Sequence, residues 1–322
     1  MLEYVLLLLF SFVVTYILLY FLIPRLFRFR LVGKDVNKAN KPEVAEMGGI
    51  GIIAGLTAGV LLAVFLNTFF SFNFNLLYVL AALITIHSVA FIGIVDDIID
   101  LPQRVKALLP LVAAVPLVAI SAAGSSFITL PFIGNVEFGL LYLFVLVPIA
   151  IAVSSNLTNM LAGFNGLEAG MGIVIFSAAS LLAFNRGGIE MLVLFLPMLG
   201  ALIAFFLFNK YPSKVFPGDI GNLSIGAVLA AGVIIGNFEA AGALLLLPYV
   251  VDFFIKLANR FPSRDWWGEY RDGKLYPLGG KVRGFAQLIM KIRNGISEKQ
   301  LVMTLILIQA VVAVIVLAIF WK

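Results

Sequence analysis

Ten apolar stretches, each near the length that crosses a bilayer, dominate this 322-residue chain. They lie near residues 4–24, 48–67, 76–95, 107–123, 139–155, 166–184, 190–208, 222–237, 240–257 and 301–321. About 20 residues of helix span the ~30 Å hydrocarbon core, so each stretch reads as one crossing. A chain patterned this way folds as an all-α polytopic membrane protein, a single integral membrane domain over residues 1–322. Composition agrees. Hydrophobic residues make up 62% of the chain and charged residues 12%, about half the ~25% of soluble domains. With no Cys and a single His, His87, thiolate chemistry, iron–sulfur clusters and histidine metal centres are excluded.

The basic residues orient the spans. Placing the N-terminus outside makes 25–47, 96–106, 154–165, 209–221 and 256–300 the inner loops. These hold six, two, none, two and ten of the 22 Lys and Arg residues; only Arg186 and Lys322 fall elsewhere. That asymmetry is the positive-inside pattern, and it puts both termini outside. Met1-Leu2-Glu3 carries no basic run before the first apolar stretch, which reads as a first span rather than a cleaved signal peptide. The expected location is the cell membrane, with the polar chemistry facing the cytoplasm. Pro248 predicts a kink in the ninth span. Before the last span, residues 258–300 form a small cytoplasmic lobe. Its Tyr270-Arg271-Asp272-Gly273-Lys274-Leu275-Tyr276 reads as a hairpin with Asp-Gly at the turn. After it, Phe285, Leu288, Ile289 and Ile292 fall at helical spacing opposite Gln287, Lys291 and Arg293, the pattern of a short helix lying on the membrane.

Four acids, Glu3, Glu137, Glu190 and Glu239, map outside as scattered solvated charges. Three polar clusters at inner span ends need more explanation. Asp96-Asp97-Ile98-Ile99-Asp100 ends the third span, with Arg104 and Lys106 following. Adjacent carboxylates at the negative end of a helix dipole repel each other unless a cation compensates. A solvated cap with local ion pairs accounts for them, and so does a site for Mg²⁺ or phosphate with Lys106 as ligand. Asn156 through Glu168 places Asn156, Asn159, Asn165, two glycines and Glu168 between apolar walls. Amide oxygens are hard ligands for Mg²⁺, and amide N–H groups can read a base or sugar; helix caps account for only one or two of the asparagines. Tyr211 through Asn222 sets Asp219 between Gly218 and Gly221, a metal-binding loop or a plain turn. Buried His87 reads as a helix–helix hydrogen bond, and Gly48, Gly49 and Gly51 read as packing positions.

In order along the chain, these residues resemble the polyprenyl-phosphate N-acetylhexosamine-1-phosphate transferase family. That family includes the bacterial phospho-MurNAc-pentapeptide translocase and the eukaryotic UDP-GlcNAc–dolichyl-phosphate GlcNAc-1-phosphotransferase. Asp96-Asp97 with Lys106 is similar to the family's acidic pair and lysine. Asn156-Leu157-Thr158-Asn159-Met160-Leu161-Ala162-Gly163-Phe164-Asn165-Gly166-Leu167-Glu168 resembles its most specific motif, in the wording of the eukaryotic branch. Val215-Phe216-Pro217-Gly218-Asp219 resembles its metal-binding aspartate loop. The chain departs from the family in the last inner loop, which has no His; Arg264 falls where the eukaryotic branch has an arginine.

The resemblance implies transfer of GlcNAc-1-phosphate from UDP-GlcNAc to a polyprenyl phosphate, releasing UMP, as the first membrane step of lipid-linked glycan synthesis. It implies Mg²⁺, or alternatively Mn²⁺, held by Asn159 and Asp219, with Asp96, Asp97 and Lys106 as the catalytic group. Glu46, Asn156, Asn165, Glu168, Phe216, Gly218 and Arg264 are the implied substrate contacts, Asn165 and Phe216 at the uracil. The implied partners are the nucleotide sugar, a dolichyl-type lipid, the bilayer and a second copy of the chain, with no nucleic acid. Wording and compact size together suggest an archaeal enzyme. The rival class is a transporter or flippase, which tends to place ionisable groups at midplane on broken, repeated helices; no repeat is visible here.

Overall fold

The computed structural model describes residues 1–121, 126–130, 133–262 and 267–321. The predicted crossings appear as helices α1 (Leu2–Arg28), α2 (Gly49–Phe70), α3 (Leu76–Ile99), α4 (Gln103–Ala113) with α5 (Val115–Ser121), α6 (Val147–Met160), α7 (Leu167–Arg186), α8 (Ile189–Asn209), α9 (Gly218–Ile235), α10 (Glu239–Leu245) with α11 (Leu247–Ala258), and α13 (Glu298–Phe320). Among the described residues nine helical segments are long and apolar enough to cross a membrane, and the α10–α11 pair makes a tenth. That pair bends by 62° at Leu246, just before Pro248, as the sequence predicts.

The packing explains where the polar residues go. Helix α9 is the centre of the bundle, buried continuously from Ile220 to Ile234 among α2, α3, α6 and α8. Two glycines set its approach to its neighbours. A methyl at Gly93 of α3 would lie 2.5 Å from Ile220, and one at Gly226 of α9 would run into the Ser154 carbonyl of α6. Backbones this close leave the last turns of α3 and α6 abutting the first turn of α9. Thr158 closes the second contact by donating to the Asn222 carbonyl at 2.8 Å. His87 makes the interhelical bond expected of it, 3.0 Å from Thr57 on α2. Gly48 and Gly49 pack as expected, donating to the Phe216 and Pro217 carbonyls at 2.8 Å each.

Small hairpins stand at the Lys- and Arg-rich end. β1 (Val32–Lys34) and β2 (Glu43–Ala45) form one antiparallel hairpin, and β5 (Gly268–Arg271) and β6 (Lys274–Pro277) form another. A third, β3 (Phe127–Leu130) with β4 (Gly134–Glu137), lies at the opposite end. The β5–β6 turn is Asp272-Gly273, both residues at positive φ, as the Asp-Gly signal requires.

Several expectations are corrected. The fourth and eighth spans begin near residues 103 and 218 rather than 107 and 222, and the fifth runs to Met160. Polar residues satisfied by neighbouring helices continue a helix that hydropathy alone would end. α12 (Phe285–Ile292) forms where the spacing predicts, but Gln287, expected on the polar face, is buried with Ala286, Ile289 and Met290. Gln287 turns inward because its amide bridges the Trp267 carbonyl and the Arg283 N–H. Glu239 is not a free surface charge: it accepts from Tyr142, and its second oxygen is buried.

Candidate active site

An aspartate that ends one helix here caps the start of another. Gly93 brings α9 onto α3, and one turn later Asp97 meets the exposed N–H groups of α9. Its two carboxylate oxygens accept from Asp219 N at 2.7 Å and Ile220 N at 3.2 Å. A helix N-terminus carries partial positive charge, so this contact offsets the unfavourable dipole of α3. Asp96 is compensated differently. Lys106, in the first turn of α4, lies 2.6 Å from it and also bonds Asp219, while Asp96 caps Leu101 N at 2.7 Å. The repulsion expected of the acidic pair is thus resolved by one lysine and one helix terminus.

The end of α6 completes the group. Asn222, one turn beyond Asp219, donates to Asn159 Oδ1 at 3.1 Å, and its own Oδ1 is buried with no hydrogen-bond partner. These residues open onto a cavity of about 1360 Å³ lined by Glu46, Asp97, Lys106, Asn156, Asn159, Glu168, Phe216, Gly218, Asp219 and Asn222. Its other wall is apolar, with Leu108 and Leu111 from α4, Val153 from α6, and Phe253 and Phe254 from α11. A charged floor beside a greasy wall suits a ligand that is phosphate at one end and hydrocarbon at the other.

The supporting contacts explain each position. Asn156 bonds the Ala107 and Ala152 carbonyls at 3.2 and 2.8 Å, joining α6 to α4 beside Lys106. Glu168, in the first turn of α7, accepts from Gly163 N and keeps one oxygen buried and unpartnered. Phe216 is sewn to β2 through a 2.8 Å bond to the Ala45 carbonyl, which brings Glu46 to the same cavity. Burial, with the charge of Asp97 adding to it, pushes the Glu46 carboxyl above its ordinary value.

Two predicted contacts are placed elsewhere. Asn165 is buried outside the cavity lining, where it accepts from Ser213 N at 2.8 Å and donates to Asp35 at 3.0 Å, while Glu298 accepts from its N–H. It braces the loop leading to Phe216. Asp96 lies behind Lys106 rather than on the cavity wall. Arg264 lies outside the described residues. Hydropathy begins the eighth span at 222 and so hides Asn222; beginning it at 218 puts Asp219 and Asn222 on one helix face. Asn37, also missed, donates to the Gly163 carbonyl and accepts from Gly268 N, each at 3.0 Å, tying three loops together.

A family model described as glycosyl transferase family 4 matches residues 79–237, the stretch from α3 through α9 that carries the converging side chains. A protein of Saccharolobus solfataricus, provisionally named a UDP-N-acetylglucosamine–dolichyl-phosphate N-acetylglucosaminephosphotransferase, is 38% identical over 307 residues, covering 95% of this chain and 93% of the relative. This chain belongs to glycosyl transferase family 4. Similarity reaches across branches of the family. The UDP-N-acetylglucosamine–dolichyl-phosphate N-acetylglucosaminephosphotransferase of Schizosaccharomyces pombe is 28% identical over 71% of this chain and 61% of its own. The phospho-N-acetylmuramoyl-pentapeptide-transferase of Halalkalibacterium halodurans is 31% identical over 74% and 77%. The protein is therefore a multi-pass membrane transferase of N-acetylhexosamine 1-phosphate.

Proposed function

We propose that this transferase moves GlcNAc-1-phosphate from UDP-GlcNAc to a dolichyl-type polyprenyl phosphate and releases UMP, at the cytoplasmic face of the cell membrane. The observation that carries this is the convergence of Asp97, Lys106, Asn159 and Asp219, from four helices, on one cavity with an apolar wall. The basic loops at the same end support the orientation.

In the proposed reaction a lipid phosphate oxygen attacks the β-phosphorus of the nucleotide sugar. The bond from that phosphorus to the bridging oxygen breaks, and UMP carries the oxygen away. The sugar's anomeric bond is untouched. A phosphate monoester has its second pKa near ~6, so the attacking group is largely dianionic at neutral pH and needs no obligatory base. Asp97, held by two α9 N–H groups, thus positions rather than abstracts. Lys106, fixed between Asp96 and Asp219, presents a point charge to phosphate oxygen, and Arg264 is the proposed second phosphate ligand. Phe216 offers its ring to the uracil, and Asn165 acts behind it by fixing Ser213. Glu46, Asn156, Glu168 and Gly218 shape the remaining substrate wall.

The donors suit a hard divalent ion. Asp219 and Asn159 supply oxygens, and Asn222 Oδ1 lacks a partner. Among the described residues no three acidic or histidine side chains are arranged as a ready-made metal cage. That fits Mg²⁺, which typically takes one or two carboxylates plus substrate phosphates rather than a full protein cage. Bound there, Mg²⁺ supplies charge neutralisation for the diphosphate. The test is incubation of the purified protein with Mg²⁺, UDP-GlcNAc and a polyprenyl phosphate, following UMP. Release of UMP together with lipid-linked GlcNAc supports the reading. A transporter releases none.

A further inference from the structure

Helix α11 is otherwise apolar, yet Asp252 is 1% exposed and Lys256 8% exposed, and they pair at 2.8 Å. Neither contacts Asp97, Lys106 or Asp219. Buried ionisable groups in a membrane helix are costly and call for a function. Each member of this pair also closes the end of a different helix. Asp252 Oδ1 accepts from Phe285 N, the first N–H of α12, at 2.7 Å. The residue before it, Gly284, has no side chain to cap that helix, and a methyl there would stand 3.0 Å from the same oxygen. Lys256 donates to the carbonyl of Met160, the last residue of α6. Carbonyls at a helix C-terminus lack intrahelical donors, and a cation is favourable there. Met160 immediately follows Asn159, whose side chain lines the cavity.

We propose that the Asp252–Lys256 pair is a positioning device: it couples the docking of lobe helix α12 to the placement of Asn159 at the end of α6. Lys256 borders the cavity, but its ammonium is engaged by Asp252 and the Met160 carbonyl. Lys256 acts through the Met160 carbonyl, and Asp252 holds both Lys256 and the α12 N-terminus, so displacing either contact loosens the other. This inference rests on the transferase reading for its kinetic arm only.

The test uses full-length protein in detergent, with UMP release and trypsin cleavage after Arg283, beside the α12 cap, as separate readouts. Asp252→Asn keeps an acceptor for Phe285 but weakens the ion pair; Lys256→Met removes the donor to Met160. Misplacement of a reacting group by ~1 Å costs up to about a hundredfold in rate. Lys256→Met is therefore expected to lower kcat by about tenfold or more with little change in KM for UDP-GlcNAc, and to speed cleavage after Arg283. Asp252→Asn is expected to lower kcat as well as speed cleavage. The double variant leaves no unpaired buried charge, so its thermal stability returns toward that of the native protein while kcat stays low. The coupling is overturned if Lys256→Met slows turnover with cleavage unchanged. It is equally overturned if Asp252→Asn speeds cleavage at native kcat, or if the double variant recovers kcat together with stability. A native protein that releases no UMP sinks the transferase reading alone; the trypsin comparison still reads the coupling, and equal cleavage in Lys256→Met and native protein overturns it.

Discussion

Two clusters at the basic end of the bundle use nearly the same residue types to opposite ends. One joins Asp96, Asp97 and Asp219 with Lys106 and two asparagines. The other joins Asp35 and Glu298 with Lys38 and Asn165. In the second, Lys38 pairs with both acids, and the Asn165 N–H, amide nitrogen and amide oxygen are all used internally; of this cluster only Asp35 reaches the cavity wall. In the first, Asp97, Asp219, Lys106 and Asn159 all border open space, and Asn222 Oδ1 is left without a donor. The difference is not chemistry but closure. A cluster that satisfies itself holds loops together, whereas one that faces a cavity with unused oxygens is available to a ligand.

The contrast makes the open cluster the place where single substitutions cost rate. Asp219→Ala is expected to have the largest effect, a loss of UMP release on the order of a thousandfold, as when one preorganised transition-state contact is removed. Lys106 keeps Asp96 as partner, so the bundle should still fold. Near-native turnover at saturating nucleotide sugar would remove Asp219 from the site. Asp97→Asn comes next. An amide offers one acceptor where two α9 N–H groups now converge, so the first turn of α9 shifts and kcat drops by on the order of a hundredfold. Binding of UDP-GlcNAc measured without acceptor lipid should change far less. Equal losses in rate and affinity would place Asp97 in ground-state binding instead.

The closed cluster should respond in the other currency, stability. Neutralising one member of a buried ion pair typically costs about 3–5 kcal/mol. Because Lys38 keeps Asp35 at 3.0 Å, Glu298→Gln is expected near the lower end of that range. Its thermal midpoint should fall while kcat per folded molecule stays native. A variant that melts normally but turns over slowly would erase the distinction between the two clusters.

How much of this was legible in the sequence follows from the same physics. Crossing number and the basic end were readable because bilayer length and positive charge act on each span separately. Asp97, Asn159 and Asp219 were readable because acids and amides at span ends are costly without a purpose. The partners were not. That Asp97 caps α9 depends on Gly93 admitting Ile220, a contact between residues 127 positions apart. That Asn165 braces a loop depends on Asp35, Ser213 and Glu298 meeting it from three directions. Hydropathy also misplaced span ends wherever a polar residue was satisfied across the bundle, and that is where the site lies.

Glu46 sits on the border of the two behaviours and gives the smallest, most diagnostic effect. It lines the cavity from the first loop, and burial beside Asp97 raises its carboxyl above the ordinary value. For an acid whose folded value is raised, the ionised form is the disfavoured one. Its contribution to stability is therefore intact below the unfolded value, near ~4.3, and is lost as pH rises through the folded value. Glu46→Gln removes that penalty. The variant should melt slightly higher than the native protein at pH 7–8 and no higher near pH 4, with the gap opening between. A gap independent of pH would mean that Glu46 is satisfied like the closed cluster, and that the carboxylate facing the cavity carries no unspent electrostatic strain for a ligand to relieve.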